Sequence, residues 1–268
     1  LMALLFGEKS ELSKELSNSY TQAGIIHILA ISGLHIALIY GIVLWLTKPL
    51  LRLKKGKMYI FLISLSVLWF YAILAGFSAS IVRAAVMFSV IAFAKILNRQ
   101  SNIYNSLALS AMILLLYNPN YLFDVGFQLS FAAVLSIIVF QPFVRKYSYS
   151  KNYFLRETKS LLLISLVAQI GVLPLTLYYF GQFPLLFLVA NLIAIPLSSI
   201  VLVLGLVLIP FNFLLPKIAI YLSVFVNFLI DLMNNFTAWI VQFDTFIIKN
   251  IAFHEVLVVL MYVIIGCV

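Results

Sequence analysis

The sequence predicts an all-α fold: a polytopic membrane helical bundle with about seven to nine transmembrane helices, one of them either spanning or lying in the interface as an amphipathic helix. Three observations predict it. Hydrophobic residues make up 65% of the 268-residue chain and charged residues 9%, which leaves too little polar surface to cover a soluble globule of this size. Apolar runs approaching the roughly 20 residues that a helix needs to cross hydrocarbon recur along the whole chain. Basic residues gather in alternate connections between those runs.

Residues 1–24 carry Glu8, Lys9, Glu11, Lys14 and Glu15 and read as an external amphipathic lead-in. The opening stretch has neither the basic start nor the small-residue cleavage site of a signal peptide, so the chain is expected to be a fragment of a longer protein. Residues 25–268 then form one transmembrane domain. Seven core spans are expected at 25–46, 59–75, 77–94, 103–117, 125–140, 161–180 and 185–209. Several are only about 15 to 18 residues, so flanking residues or the bundle itself must cover the remainder of a ~30 Å core.

Loop charge sets the orientation. Twelve of the seventeen lysines and arginines lie in three connections, at 48–57, 95–99 and 145–159, with Glu157 the one acid among them. By the positive-inside rule these connections are cytoplasmic, which puts residues 1–24 outside. Most of the net charge of +9 is thereby explained by topology rather than by nucleic-acid contact. After Pro210, Ser223, Asn227, Asp231, Asn234 and Asn235 form a polar stripe on a helix at 218–240. Such a helix lies in the interface or lines water. A last segment, 251–268, completes the count. Cys267 is alone and only three histidines are present, so neither a disulfide framework nor a metal cluster is expected.

The first span carries the most unusual stretch, His27-Ile28-Leu29-Ala30-Ile31-Ser32-Gly33-Leu34-His35, where two histidines, a serine and a glycine interrupt an apolar run. Polar groups inside a membrane need partners or line a route. On a continuous helix Ser32 and His35 share a face, and Gly33 permits close approach or a local break. That spacing admits an intramembrane serine hydrolase built on a Ser32/His35 dyad, although no Gly-x-Ser-x-Gly elbow is present. It equally admits helix-to-helix hydrogen bonds or a polar pathway. Arg83 in the third span serves either to attract phosphates or to pair with Asp124 at the start of the fifth. Gln128, Ser130, Gln169 and Asn191 are uncharged groups suited to lining a path or to joining helices. Pro174 and Pro196 suggest kinks or discontinuous segments, which leaves a small-solute or lipid transporter as a further reading.

The same residues resemble the ComEC competence-protein family. The His27–His35 stretch is similar to that family's "H-L-L-A-I-S-G-L-H" signature, and Leu4–Ser10 to its entry sequence. Ala75-Gly76-Phe77-Ser78-Ala79-Ser80-Ile81-Val82-Arg83-Ala84 resembles "A-G-F-S-x-S-x-x-R-A". Asp124–Phe131 resembles "D-P-G-F-Q-L-S-F", with Val125 in place of the usual proline, and Ala190–Leu197 resembles "A-N-L-x-A-x-P-L". Five motifs stand in family order across residues 1 to about 200.

The resemblance implies a multi-pass channel in the bacterial cytoplasmic membrane that passes single-stranded DNA inward during natural transformation. It also implies competence partners, namely an external DNA receptor and a cytoplasmic DNA translocase or helicase, besides the lipid bilayer. No catalytic residue, metal or cofactor is expected. Nuclease activity would belong to the metallo-β-lactamase-like domain that the family places after this region, and no His-x-His-x-Asp-His run occurs here. The polar-pathway candidates are therefore His27, Ser32, Gly33, His35, Arg83, Asp124, Gln128, Ser130, Gln169 and Asn191.

Overall fold

A computed structural model describes residues 14–29, 32–97, 102–243 and 246–267. The acidic start of the lead-in, the Leu4–Ser10 motif, Ala30, Ile31 and Arg99 lie outside them. The described residues divide into two compact units, one within residues 30–127, the other within 14–29 and 128–268.

The helices of the described residues follow the apolar runs. They are α1 Lys14–Gln22, α2 Ile26–Leu29, α3 Gly33–Thr47, α4 Gly56–Leu74, α5 Ala79–Ile96, α6 Ile103–Tyr117, α7 Val125–Val139, α8 Gln141–Ser148, α9 Tyr153–Phe180, α10 Phe187–Leu214, α11 Pro216–Val241 and α12 Glu255–Cys267. Six segments are long and apolar enough to cross a membrane, or seven if the bent pair α7 and α8 is one span. Among the described residues the shorter apolar helices α6 and α12 bring the apolar set to nine when α7 and α8 count as one. Their outward surfaces carry large apolar side chains, among them Trp45, Phe70, Phe213 and Tyr221, each more than half exposed. Water would penalise that display and lipid does not. This is a membrane protein.

In the unit of residues 30–127, α5 is the central helix and packs against α3, α4 and α6. On its buried face, Ile81, Arg83, Ala84, Ala85, Val86 and Ala92, the three alanines let neighbours approach closely. Trp69 Nε1 on α4 donates to Ser89 Oγ on α5 at 3.2 Å. A sharp reversal joins those two helices. Gly76 (φ +64°) and Phe77 (φ +51°) are both left-handed, and the Phe77 N–H donates to the Ala72 carbonyl at 2.9 Å. Glycine adopts that conformation freely, whereas phenylalanine is strained in it. The strain buys a four-residue turn that starts α5 with Arg83 one turn inside.

In the other unit α10 and α11 form the most extensive helix pair. Ala190, Asn191, Ala194, Ser198, Val201, Leu202 and Gly205 are buried at helical spacing on α10. The small residues every fourth position at 190, 194 and 198 let the helices close together. On α9 pack α8, α10 and α12, while α1 packs on α11 and α2 on α10. A two-residue antiparallel ladder, β1 Phe183–Pro184 with β2 Ile247–Ile248, ties the α9–α10 turn to the segment before α12.

Three expectations are corrected. The first span, expected at 25–46, begins at Gly33 and runs through a 3-10 turn to Arg52, while His27 sits on the separate short helix α2. The sixth, expected from 161, begins at Tyr153 because Asn152 caps it, its Oδ1 accepting from the Phe154 N–H at 3.0 Å. Pro174 and Pro196 make no discontinuous segment, since α9 and α10 each continue for 28 residues. The pronounced bend, 56°, falls between α7 and α8, where Pro142 removes an amide from the first turn of α8.

Candidate functional site

Ser32 is extended (φ −105°, ψ 166°) and precedes the first residue of α3. Its backbone N–H donates to His35 Nδ1 at 3.0 Å, and its Oγ lies 3.3 Å from the same nitrogen. This is the reaching-back half of a capping box, with histidine in the place where Glu or Gln is usual. The consequence for chemistry is direct. The Nδ1 nitrogen that would take a proton from Ser32 Oγ is engaged by a backbone amide instead. The arrangement is that of a helix cap and does not support the hydrolase dyad. His35 is almost wholly buried (1% exposed), Ser32 is half-buried and Gly33 is exposed. His27 is exposed on α2, in the other unit.

Arg83 and Asp124 do come together. Arg83 Nη1 donates to Asp124 Oδ1 at 3.3 Å, with the arginine side chain 10% exposed and the aspartate 46% exposed. The aspartate has a second task, because the same oxygen accepts from the Phe127 N–H at 2.7 Å and so caps the start of α7. Gly126 makes room for both. A Cβ there would lie 3.1 Å from Arg83 Nη2 and 3.2 Å from Asp124 Oδ1, tighter than ordinary packing allows. Val125 takes the first helical position, where proline would suit as well since that amide has no partner within the helix.

The arginine is left with capacity to spare. A guanidinium has five N–H donors in a rigid fork. Its Nε is buried with no hydrogen-bond partner, and Ala79, Val82, Leu114 and Tyr121 line the small cleft around it. Leaving a buried donor unsatisfied costs about 1–3 kcal/mol, and the cleft has no room for a water molecule at that nitrogen.

In the unit of residues 128–268 the candidates are dispersed. Gln128 Oε1 on α7 accepts from Tyr179 O–H on α9 at 2.9 Å. Ser130 and Gln169 are half-buried on α7 and α9. Asn191 is buried on α10, and its Oδ1 has no hydrogen-bond partner. The stripe on α11 belongs to a helix of spanning length: Asn227, Asp231 and Asn235 are exposed, and Asn234 accepts from Tyr20 O–H on α1 at 2.7 Å. Sequence reasoning missed the tyrosines. Tyr20, Tyr121 and Tyr179 each sit beside a polar group, but a tyrosine in so aromatic a chain carries no signal that separates it from its neighbours facing lipid.

The whole apolar bundle matches one family: the one described as Competence protein, over residues 4–268. ComE operon protein 3 of Bacillus subtilis is 31% identical over 196 residues, 73% of this chain and 24% of that protein. Recombination protein 2 of Haemophilus influenzae is 30% identical over 221 residues, 76% and 27% of the two chains. Competence protein ComA of Neisseria gonorrhoeae is 30% identical over 210 residues, 75% and 29%. The chain spans about a quarter of the length of these curated relatives. No solved structure matches it.

Proposed function

Because the chain belongs to the Competence protein family, we propose that it is a membrane channel for single-stranded DNA in the bacterial cytoplasmic membrane, acting during natural transformation. A polyanion crosses a ~30 Å hydrocarbon layer only along a wet, polar route. Arg83 is the entry ligand in this reading. It lies at the end of α5 away from Lys95, about 18 Å along the helix axis at 1.5 Å per residue, so the basic loops and Arg83 occupy opposite ends of the same helix. If the basic end is cytoplasmic, Arg83 meets the strand on the outer side. Gln128, Gln169 and Asn191 are uncharged polar groups of the kind that would not trap a phosphate.

The observation that carries the reading is the family match over residues 4–268, with Arg83 at the end of α5 beside a carboxylate already engaged as a helix cap. Asp124 cannot swing fully to the guanidinium without uncapping α7, so the fork keeps donors for a phosphate. No chemical step takes place in this chain. The partners would be single-stranded DNA, an external DNA receptor and a cytoplasmic translocase. In a transformable host carrying the full-length protein, Arg83→Gln should lower uptake of labelled DNA while membrane levels of the protein hold. Undiminished uptake would remove Arg83 from the route.

A further inference from the structure

At the basic end of α4 and α5 lies a cavity of about 320 Å³, distinct from the Arg83 cluster. Its walls follow helical spacing. Lys57, Ile60, Phe61 and Ser64 stand on one face of α4, Ala92, Lys95 and Ile96 on one face of α5, and Tyr40 and Leu44 on α3, with Leu51 of the 3-10 turn at the edge. The volume is at the lower end of the range for small-molecule sites.

The polarity is layered. Lys57 and Lys95 are exposed, and Lys95 Nζ stands 5.3 Å from the centre of the Tyr40 ring. The walls between are aliphatic or aromatic. Deeper in, Ser64 is 1% exposed, and its Oγ has no hydrogen-bond partner. Serine on a helix usually bonds the carbonyl four residues back, as Ser89 does with Ala85 at 2.6 Å. Ser64 does not.

We infer that this cavity binds an anionic phospholipid of the leaflet at that end, with its phosphate held between Lys57 and Lys95 and its acyl chain against Leu44, Leu51, Ile60 and Phe61. Basic pockets between membrane helices select anionic headgroups, and the apolar walls exclude a free phosphate as the preferred occupant. A DNA strand is disfavoured too, since it needs a basic groove that follows several phosphates, and two lysines over an apolar hollow do not make one. Leu51, 55% exposed, continues the apolar surface outward from the cavity, where the remainder of the lipid would lie.

The test is native mass spectrometry of the full-length protein in detergent, titrated with phosphatidylglycerol, with phosphatidylcholine and with inorganic phosphate. Each lysine near an anionic headgroup is worth roughly fivefold in affinity, so Lys57→Gln combined with Lys95→Gln should weaken phosphatidylglycerol binding about 25-fold. Lys54→Gln combined with Lys55→Gln removes two neighbouring exposed charges that do not line the cavity. That control should change binding less than about threefold, phosphatidylcholine should bind weakly throughout, and phosphate should not compete. Equal losses in the two double variants, no loss in the first, equal binding of both lipids, or displacement by phosphate would each overturn the assignment. All four substitutions are of exposed side chains, so folding does not confuse the result.

Discussion

Two polar groupings lie in the same unit and differ in charge and in how their members are shared. At the start of α3, Ser32 and His35 turn toward one another and spend a backbone amide on a ring nitrogen. At the junction of α5 and α7, Arg83 and Asp124 also pair, but the aspartate is shared with the Phe127 amide and the arginine retains a buried donor. The first grouping finishes a helix end. The second holds a cation beside a carboxylate that is only half available to it. What separates them is charge: only the second sets a cation near the end of a span.

The largest effect should come from the guanidinium itself. A hydrogen bond to a charged group contributes about 1.5–3 kcal/mol, so Arg83→Gln should lower the rate of labelled DNA uptake by roughly 10- to 150-fold. Arg83→Lys keeps the charge but loses the fork and should fall between that variant and the wild type. A lysine variant as deficient as the glutamine one would mean that fork geometry, not charge, decides.

Asp124→Asn separates the two duties of the carboxylate. Asparagine still caps α7 but no longer competes for the arginine charge. Uptake should change by less than about threefold, and thermal stability in detergent should drop by no more than about 1 kcal/mol, because the carboxylate is half exposed. Asp124→Ala removes the cap as well and should cost about 1–2 kcal/mol. If Asp124→Asn matches Arg83→Gln in uptake, the pair is a structural unit and Arg83 is not an entry ligand.

Gly126→Ala pushes on the same contact from the other side. The new methyl meets the far end of a flexible arginine, so the side chain shifts and the helix survives. Uptake should fall several-fold with little change in melting temperature. Unchanged uptake would show that the position of the guanidinium is not critical to within a few tenths of an ångström.

The number and order of the spans were legible because apolar periodicity and loop charge are properties of whole segments. Helix starts were less so. Asn152 extends α9 back over Arg156, Glu157 and Lys159, charged residues that read as a loop because one capping side chain does not register in a hydropathy pattern. The Arg83–Asp124 pair was foreseeable, since an arginine inside a span needs an acid near the same membrane face. Gly126 was not, because its role depends on a distance between two helices. The cavity between α3, α4 and α5 was equally hidden. Lys57 and Lys95 are topogenic lysines by sequence, and only packing brings them to one hollow.

The Ser32–His35 spacing shows how one number can carry two meanings. Three residues apart on a continuous helix is a shared face, and three residues apart across a helix start is a cap position and its partner. Because Ser32 contributes its backbone N–H, Ser32→Ala keeps that bond to His35 Nδ1 and should lower stability by only about 0.5 kcal/mol, at the low end for the loss of a cap side chain. His35→Ala removes the acceptor and empties a buried site, so it should cost about 2–4 kcal/mol. DNA uptake by Ser32→Ala should match the wild type, and a fluorophosphonate should label neither protein at that position. Specific labelling of Ser32 in the active protein would restore the nucleophile that the hydrogen bond denies it.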